Sequence, residues 1–153
     1  MHIVVVEDDW FERELMVRNL NHAFSGALIT QFKTGEEFLL WLDRLEKADV
    51  VVMEQHLPLL SQDTSDIEEA QQRLSVRFNR VISDWEGQKA GERLVRLMRE
   101  YTLDTPVVIY THSDKSRIAL DILEDPRVAY CQKRMNDSSR LTECVRRLTL
   151  AMI

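Results

Sequence analysis

The sequence has few cysteines and no long apolar run. Its two cysteines, Cys131 and Cys144, lack C-x-x-C spacing, so we expect two reduced thiols and no cysteine-bound metal. No apolar stretch approaches the roughly 18 residues that a membrane helix needs, and no signal peptide is visible. The sequence therefore predicts a cytoplasmic protein that does not associate with membranes.

Basic residues and common catalytic motifs are also scarce. The chain carries 20 Lys and Arg against 26 Asp and Glu, a net charge of −6, whereas binding a phosphate backbone needs a basic face. It contains no G-x-G-x-x-G motif, no P-loop and no G-x-S-x-G motif. We therefore expect no nucleic-acid partner and no enzyme activity, and a partner that is a protein or a small molecule.

Apolar strands and amphipathic helices alternate along the 153 residues, a length typical of one domain over 1–153. The pattern predicts strands at 2–6, 27–32, 48–53, 106–110 and 128–131, with the first and last helices over 10–24 and 137–151. The third strand is apolar throughout, which is typical of a strand covered on both faces. Five such alternating pairs predict an α/β fold with a doubly wound parallel sheet.

Helical periodicity assigns the buried faces of these two helices. Leu15, Val17, Leu20 and Phe24 are expected to face inward from the first helix, and Leu141, Val145, Leu148 and Met152 from the last. A second helix is predicted to begin at Thr34 and to continue through Leu45.

Polar residues follow four of the predicted strands. Glu7 and Asp8 follow the first, Glu54 the third, Thr111 the fourth, and Lys133 stands beyond the fifth. Ligands bind at the carboxyl ends of such strands, and crowded carboxylates there need a cation such as Mg²⁺ or a lysine. Alternatively, the acidic residues only favour the positive end of the following helix.

These residues, each at the end of its own predicted strand, resemble the receiver (CheY-like) domain of two-component response regulators. The resemblance implies a flavodoxin-like fold with strand order 2-1-3-4-5 and a cytoplasmic signalling module without an output domain. It implies a histidine kinase, a phosphotransfer protein or a downstream effector as partner, as in a phosphorelay. The implied site consists of Glu7, Asp8 and Glu54 for Mg²⁺, Glu54 as the phosphoacceptor equivalent, Thr111 and Tyr130 as switch residues, and Lys133 as the lysine of the family.

Three positions depart from the family pattern. Glu54 replaces the acceptor aspartate, and its extra methylene moves the carboxylate out of line with a donor phosphoryl. His112 would obstruct the approach to the pocket, and Arg134 stands where a proline is usual. We therefore expect a pseudo-receiver that signals without phosphorylation, with Glu54 either a permanent charge bonded to Lys133 or an acidic loop residue with no role.

An insertion of about residues 61–88 separates Pro58 from Gly91, before the predicted third helix. Apolar residues at intervals of three and four predict an inserted amphipathic helix between the third strand and that helix: Ile67, Ala70, Leu74, Phe78, Val81, Ile82 and Trp85. This stripe either folds over its own domain or pairs with another chain. We expect a homodimer or partner interface over 67–85, surrounded by Arg73, Arg77 and Arg80.

Two alternative readings of the site stay open. In the first, 81–85 is the third strand and Asp84 is a working phosphoacceptor. In the second, His56 and His112 join Asp8 and Glu54 in a metal-dependent hydrolase centre.

Overall fold

The computed structural model describes residues 1–61, 64–78, 90–101, 103–134 and 139–151. Its centre is one parallel sheet of five strands in the order β2-β1-β3-β4-β5, as the sequence predicts. The strands are β1 His2–Val6, β2 Leu28–Phe32, β3 Val50–Met53, β4 Val107–Thr111 and β5 Val128–Gln132. The predicted flavodoxin-like fold is confirmed.

Helices connect these strands. They are α1 Trp10–Ala23, α2 Gly35–Leu40, α3 Ile67–Phe78, α4 Ala90–Glu100, the single turn α5 Leu120–Leu123, and α6 Ser139–Ala151, with 3₁₀ turns at Leu42–Lys47 and Lys115–Arg117. The predicted second helix is therefore two elements, since α2 ends at Leu40 and a 3₁₀ turn follows. Within the described ranges, no helix has the length and apolar character needed to span a bilayer.

The strands bury side chains on both faces of the sheet, which explains why β3 is apolar at every position. Val51 and Met53 pack on the face covered by α2, α3 and α4, together with Phe38 and Leu94. Val50 and Val52 pack on the opposite face, which α1 and α6 cover. Each residue of β3 is fully buried, as a strand between two helical layers requires.

The buried face of α1 differs from the predicted one. Met16 and Leu20 are buried together with Arg13, whereas Leu15 is 40% exposed. Arg13 points inward because its Nη1 donates to the carbonyl oxygen of Glu7 at 2.8 Å, and this turns Leu15 toward the surface. In α6 the prediction is confirmed for Leu141, Val145 and Leu148, and Met152 lies outside the described residues.

Helix α3 is the helical part of the insertion among the described residues, and half of its apolar stripe belongs to the core. Ala70 and Leu74 are buried, and Phe78 packs edge-on against Tyr101 with ring centroids 5.9 Å apart. The expectation that this stripe is available to bind another molecule is therefore wrong for Ala70 and Leu74. Ile67 is 56% exposed, and Val81, Ile82, Trp85 and Arg80 lie outside the described residues.

Helix α4 begins against the backbone that follows β3. The amide of Gly91 donates to the carbonyl oxygen of Gln55 at 3.3 Å, and that of Ala90 to the carbonyl oxygen of Leu57 at 3.0 Å. A Cβ at Gly91 would lie 2.2 Å from the carbonyl oxygen of Glu54, closer than real Cβ contacts. Only glycine permits this approach, which fixes α4 beside the turn that carries Glu54.

If α3 covers its own domain, its buried and exposed apolar positions should differ in their contribution to stability. We expect Leu74→Ala to lower the free energy of unfolding by about 2–5 kcal/mol, because it leaves a cavity in the core. Val76→Ala, at a position 76% exposed, should change it by less than about 0.5 kcal/mol. Urea denaturation of both variants measures this, and equal small effects would show that α3 does not contribute to the core.

Candidate functional site

Four buried polar side chains meet at the carboxyl edge of the sheet. Glu7 directly follows β1, Glu54 directly follows β3, Thr111 ends β4 and Lys133 directly follows β5. All four are at most 6% exposed. The parallel strands bring these side chains to one edge, and the structure therefore unites most of the site that the sequence predicts.

The Lys133 ammonium is the centre of this cluster. Its Nζ donates to Glu7 Oε2, Glu12 Oε2 and Glu54 Oε2, each at 2.5 Å. An ammonium group has three protons, so each proton has a carboxylate acceptor. The Nζ also lies 5.4 Å from the centroid of the Tyr110 ring, and the Lys133 amide donates to the Thr111 carbonyl oxygen at 2.7 Å.

Both oxygens of the Glu54 carboxylate accept hydrogen bonds. Its Oε1 accepts from the Thr111 hydroxyl at 2.8 Å and from the His56 amide at 3.0 Å, while Oε2 accepts from Lys133. Hydrogen bonds to three donors hold this buried side chain in one position. Glu54 is thus a structural member of the cluster, and the interpretation of it as a loop residue with no role is wrong.

A further residue of the site, Glu12, was not predicted from the sequence. It stands in the first turn of α1. Asp9 caps this helix by accepting from the Glu12 amide at 2.9 Å. The Glu12 side chain then reaches Lys133 through Oε2 and His112 through Oε1, at 2.5 Å each. The sequence signal for this role was the position of Glu12, about one helical turn beyond the acidic residues that follow β1. Asp8, in contrast, is exposed.

The pKa values in the cluster reflect competition between burial and pairing. Burial raises the pKa of Glu7 to about 7, although Lys133 acts to lower it. Burial acts to lower the pKa of Lys133, but the charges of Glu54 and Glu7 outweigh it and hold that pKa above its usual value. For Glu12 the bonds from Lys133 and His112 outweigh burial and lower the pKa.

A divalent cation would have to compete with Lys133 for the carboxylates of this cluster. The carboxylate oxygens of Glu7, Glu12 and Glu54 lie within 4.8 Å of one another, and such oxygens are the donors that Mg²⁺ prefers. However, the Lys133 Nζ already lies 2.5 Å from one oxygen of each carboxylate, where Mg²⁺ would need to approach to about 2.0–2.1 Å. The ammonium occupies the position of the cation, and Asp8 is not among these three ligands.

The two histidines do not form a metal centre with the acidic residues. His56 Nε2 lies 2.5 Å from Ser113 Oγ, and His112 Nε2 pairs with Glu12. Among the described residues, the metal-capable group consists of carboxylates alone. The alternative hydrolase centre is therefore not assembled in the part of the chain that the structure describes.

Two further predictions concern Tyr130, the expected switch residue, and Asp84, the alternative acceptor. The Tyr130 hydroxyl donates to the carbonyl oxygen of Ser113 at 2.5 Å, which ties β5 to the loop after β4. The strand between β1 and β4 is Val50–Met53, so Glu54 stands at the end of the third strand. Asp84 lies outside the described residues.

Several solved receiver domains share this architecture. The chain has the receiver fold. The receiver domain of Francisella response regulator 1452 matches with a TM-score of 0.65 and 17% identity, over 99% of this chain and 98% of that one. The receiver domain from Rhodospirillum rubrum matches with a TM-score of 0.61 and 23% identity, over 99% and 93%.

The response regulator TrrA of Thermotoga maritima, solved with Mg²⁺ and BeF, is also similar. Its TM-score is 0.65 and its identity 21%, over 96% of this chain and 97% of that one. No family model and no curated protein matches the sequence. The similarity to receiver domains is thus one of fold.

Removing the ammonium should destabilise the protein in a pH-dependent way. Glu7 has a pKa raised from 4.5 to about 7, so its contribution favours folding at low pH and is lost as pH rises through 7. Lys133→Met removes a group that lowers this pKa and leaves three carboxylates facing one another. We expect a loss of about 3–5 kcal/mol at pH 8, as for other broken buried pairs, and a clearly smaller loss at pH 5.

Denaturant unfolding at the two pH values measures this difference. Lys115→Met, which changes an exposed lysine in the 3₁₀ turn after β4, is the control and should have little effect at either pH. An equal loss of stability at pH 5 and pH 8 for Lys133→Met would contradict the proposed charge balance.

Proposed function

We propose that this chain is a receiver-like signalling module that acts by binding another protein and does not depend on aspartyl phosphorylation. One observation carries the proposal: the Glu54 carboxylate contacts the Thr111 hydroxyl and the Lys133 ammonium at the same time. In the receiver family these are the two groups expected to contact a phosphoryl group. Glu54 thus engages both of them without a phosphoryl group.

The hydrogen-bond donors of the pocket support this proposal. The single hydroxyl proton of Thr111 goes to Glu54, and the three protons of Lys133 go to three carboxylates. A phosphoryl group has three strong acceptor oxygens that need donors when they are buried. Its entry would require several of these buried bonds to break first.

The charge of the pocket leads to the same proposal. Three carboxyl groups share the single Lys133 ammonium, and those of Glu7 and Glu54 are almost completely buried. A phosphoryl group adds about −1.5 to −2 more. Without a second cation this charge is strongly unfavourable, and Lys133 already occupies the position of one.

Protein binding is supported by the exposed apolar surface at the start of α1. Trp10 is 67% exposed and Phe11 62% exposed, and Leu15 lies one turn from Phe11 on the same side. The exposed carboxylates of Asp8 and Asp9 lie next to them in the chain. We propose that a protein with an apolar surface and basic surroundings binds here, of the kinase, phosphotransfer or effector classes that the receiver fold suggests.

Phosphorylation chemistry gives the first test. We expect no stoichiometric mass gain when the wild-type chain is treated with acetyl phosphate and Mg²⁺, and no binding of beryllofluoride. Glu54→Asp should regain some of either, because the shorter side chain restores an aspartate at the end of β3 and weakens the contacts with Thr111 and Lys133. Intact mass and ¹⁹F NMR measure the two reactions.

Two control variants complete this experiment. Glu54→Gln keeps the length of the side chain and should take up no phosphoryl group. A stoichiometric gain in the wild type would contradict the proposal, and loss of that gain in Asp84→Asn would identify Asp84 as the acceptor instead.

Partner binding gives the second test. A protein captured with the wild-type chain, identified and purified, should bind with the same affinity with and without acetyl phosphate and Mg²⁺. The double variant Trp10→Ala with Phe11→Ala should weaken binding by about tenfold or more, because exposed aromatic residues often carry interface energy. Leu28→Ala, at a position 61% exposed in β2, is the matched control. Binding that requires acetyl phosphate would contradict phosphorylation-independent signalling.

A further inference from the structure

Strand β2 forms one edge of the sheet and pairs with β1. The Leu28 amide donates to the Met1 carbonyl oxygen at 2.9 Å, so the backbone of Leu28 faces β1. Because successive residues of a strand direct their amides and carbonyls to opposite sides, those of Ile29 and Gln31 point away from β1. Among the described residues, none forms a backbone hydrogen bond with these four outward groups. Strand β2 thus presents donors and acceptors that the described chain leaves unpaired.

Strand β2 lacks the features that usually protect a sheet edge. Its sequence, Leu-Ile-Thr-Gln-Phe, contains no charged residue and no proline, and its register with β1 runs without a bulge. Proteins commonly place such features on an edge strand because its unpaired backbone groups can pair with another chain. Leu28 is 61% exposed, and Gln31 is exposed as well. The edge is therefore open to a further strand.

A second copy of β2, placed antiparallel and centred on Thr30, complements this edge. Ile29 of one copy then lies opposite Gln31 of the other, and each such pair exchanges two hydrogen bonds. Two-fold symmetry gives four bonds, which satisfy every outward group of both residues. Leu28 lies opposite Phe32, so the exposed leucine gains an aromatic neighbour, and no like charges face one another along the strand. The segment is thus complementary to itself in backbone and side chains.

We propose that two copies of this chain associate through β2 into a two-fold dimer, in which their sheets join into one sheet of ten strands. Phe32 already packs against Phe38 and Trp41, with ring centroids 6.1 and 5.6 Å apart, and these contacts hold its ring in place for Leu28 of the second copy. The surface is separate from residues 67–85 and from the start of α1. The inference does not depend on the proposed function, because it involves neither phosphorylation nor another protein.

Sedimentation velocity of the full chain, from dilute to concentrated solution, tests the proposal, and we expect a monomer–dimer equilibrium. Leu28→Lys places a charge against Phe32 of the second copy, and Gln31→Pro removes an outward amide that β1 does not use. Each should weaken association by about tenfold or more. Leu150→Lys, at a position 62% exposed in α6, is the matched control and should leave the equilibrium unchanged. Circular dichroism checks that each variant is folded, and Leu28→Lys decides the outcome if Gln31→Pro unfolds.

Cysteine crosslinking tests the register. Thr30→Cys should form a disulfide between chains on mild oxidation, because Cα atoms directly opposite in such a pair lie about 4.5 Å apart. Leu28→Cys should not, because its two copies lie four positions apart along the strands, about 13 Å. Peptide mapping identifies the linked residues. Three results would each overturn the proposal: a monomer at every concentration, a dimer that Leu28→Lys leaves intact, or crosslinking of Leu28→Cys as readily as Thr30→Cys.

Discussion

The ammonium of Lys133, held among three carboxylates, is the interaction on which the rest of the structure depends. Its acceptors come from the ends of β1 and β3 and from the first turn of α1, while Lys133 itself follows β5. Four separate parts of the chain are therefore joined by one charged group. Because each partner is buried or partly buried, none of these charges can be left alone without a large desolvation cost.

This network also limits what the pocket can do. A reactive phosphoryl-binding site needs donors that are free to bind an incoming oxygen and a nucleophile with an accessible lone pair. Here Thr111 and Lys133 donate to Glu54, and Glu54 has accepted three bonds. A fully satisfied buried network is rigid and specific, and it does not readily exchange partners. The receiver fold is retained while the polar groups of the pocket bind one another.

Much of the fold could be predicted from the sequence because burial on both faces of a sheet leaves a strong pattern. The apolar run ending at Glu54 identified β3, and polar residues at successive strand ends identified Glu7, Thr111 and Lys133 as neighbours. Glu12 was missed because its role depends on the length and direction of a helical side chain, which periodicity does not report. The same limit explains α3, since an apolar stripe indicates that something covers it but not which element does.

The close contact at Gly91 links the pocket to a distant part of the surface. Because no side chain separates the first turn of α4 from the backbone of Glu54 and Gln55, a rotation of that backbone cannot be absorbed locally. Helix α4 has 11 residues, so it acts as a stiff arm of about 16 Å. Near its far end Arg99 pairs with Asp125 at 2.7 Å, just before β5 begins. A small tilt at the pocket would therefore be magnified into a displacement at the opposite end of the sheet.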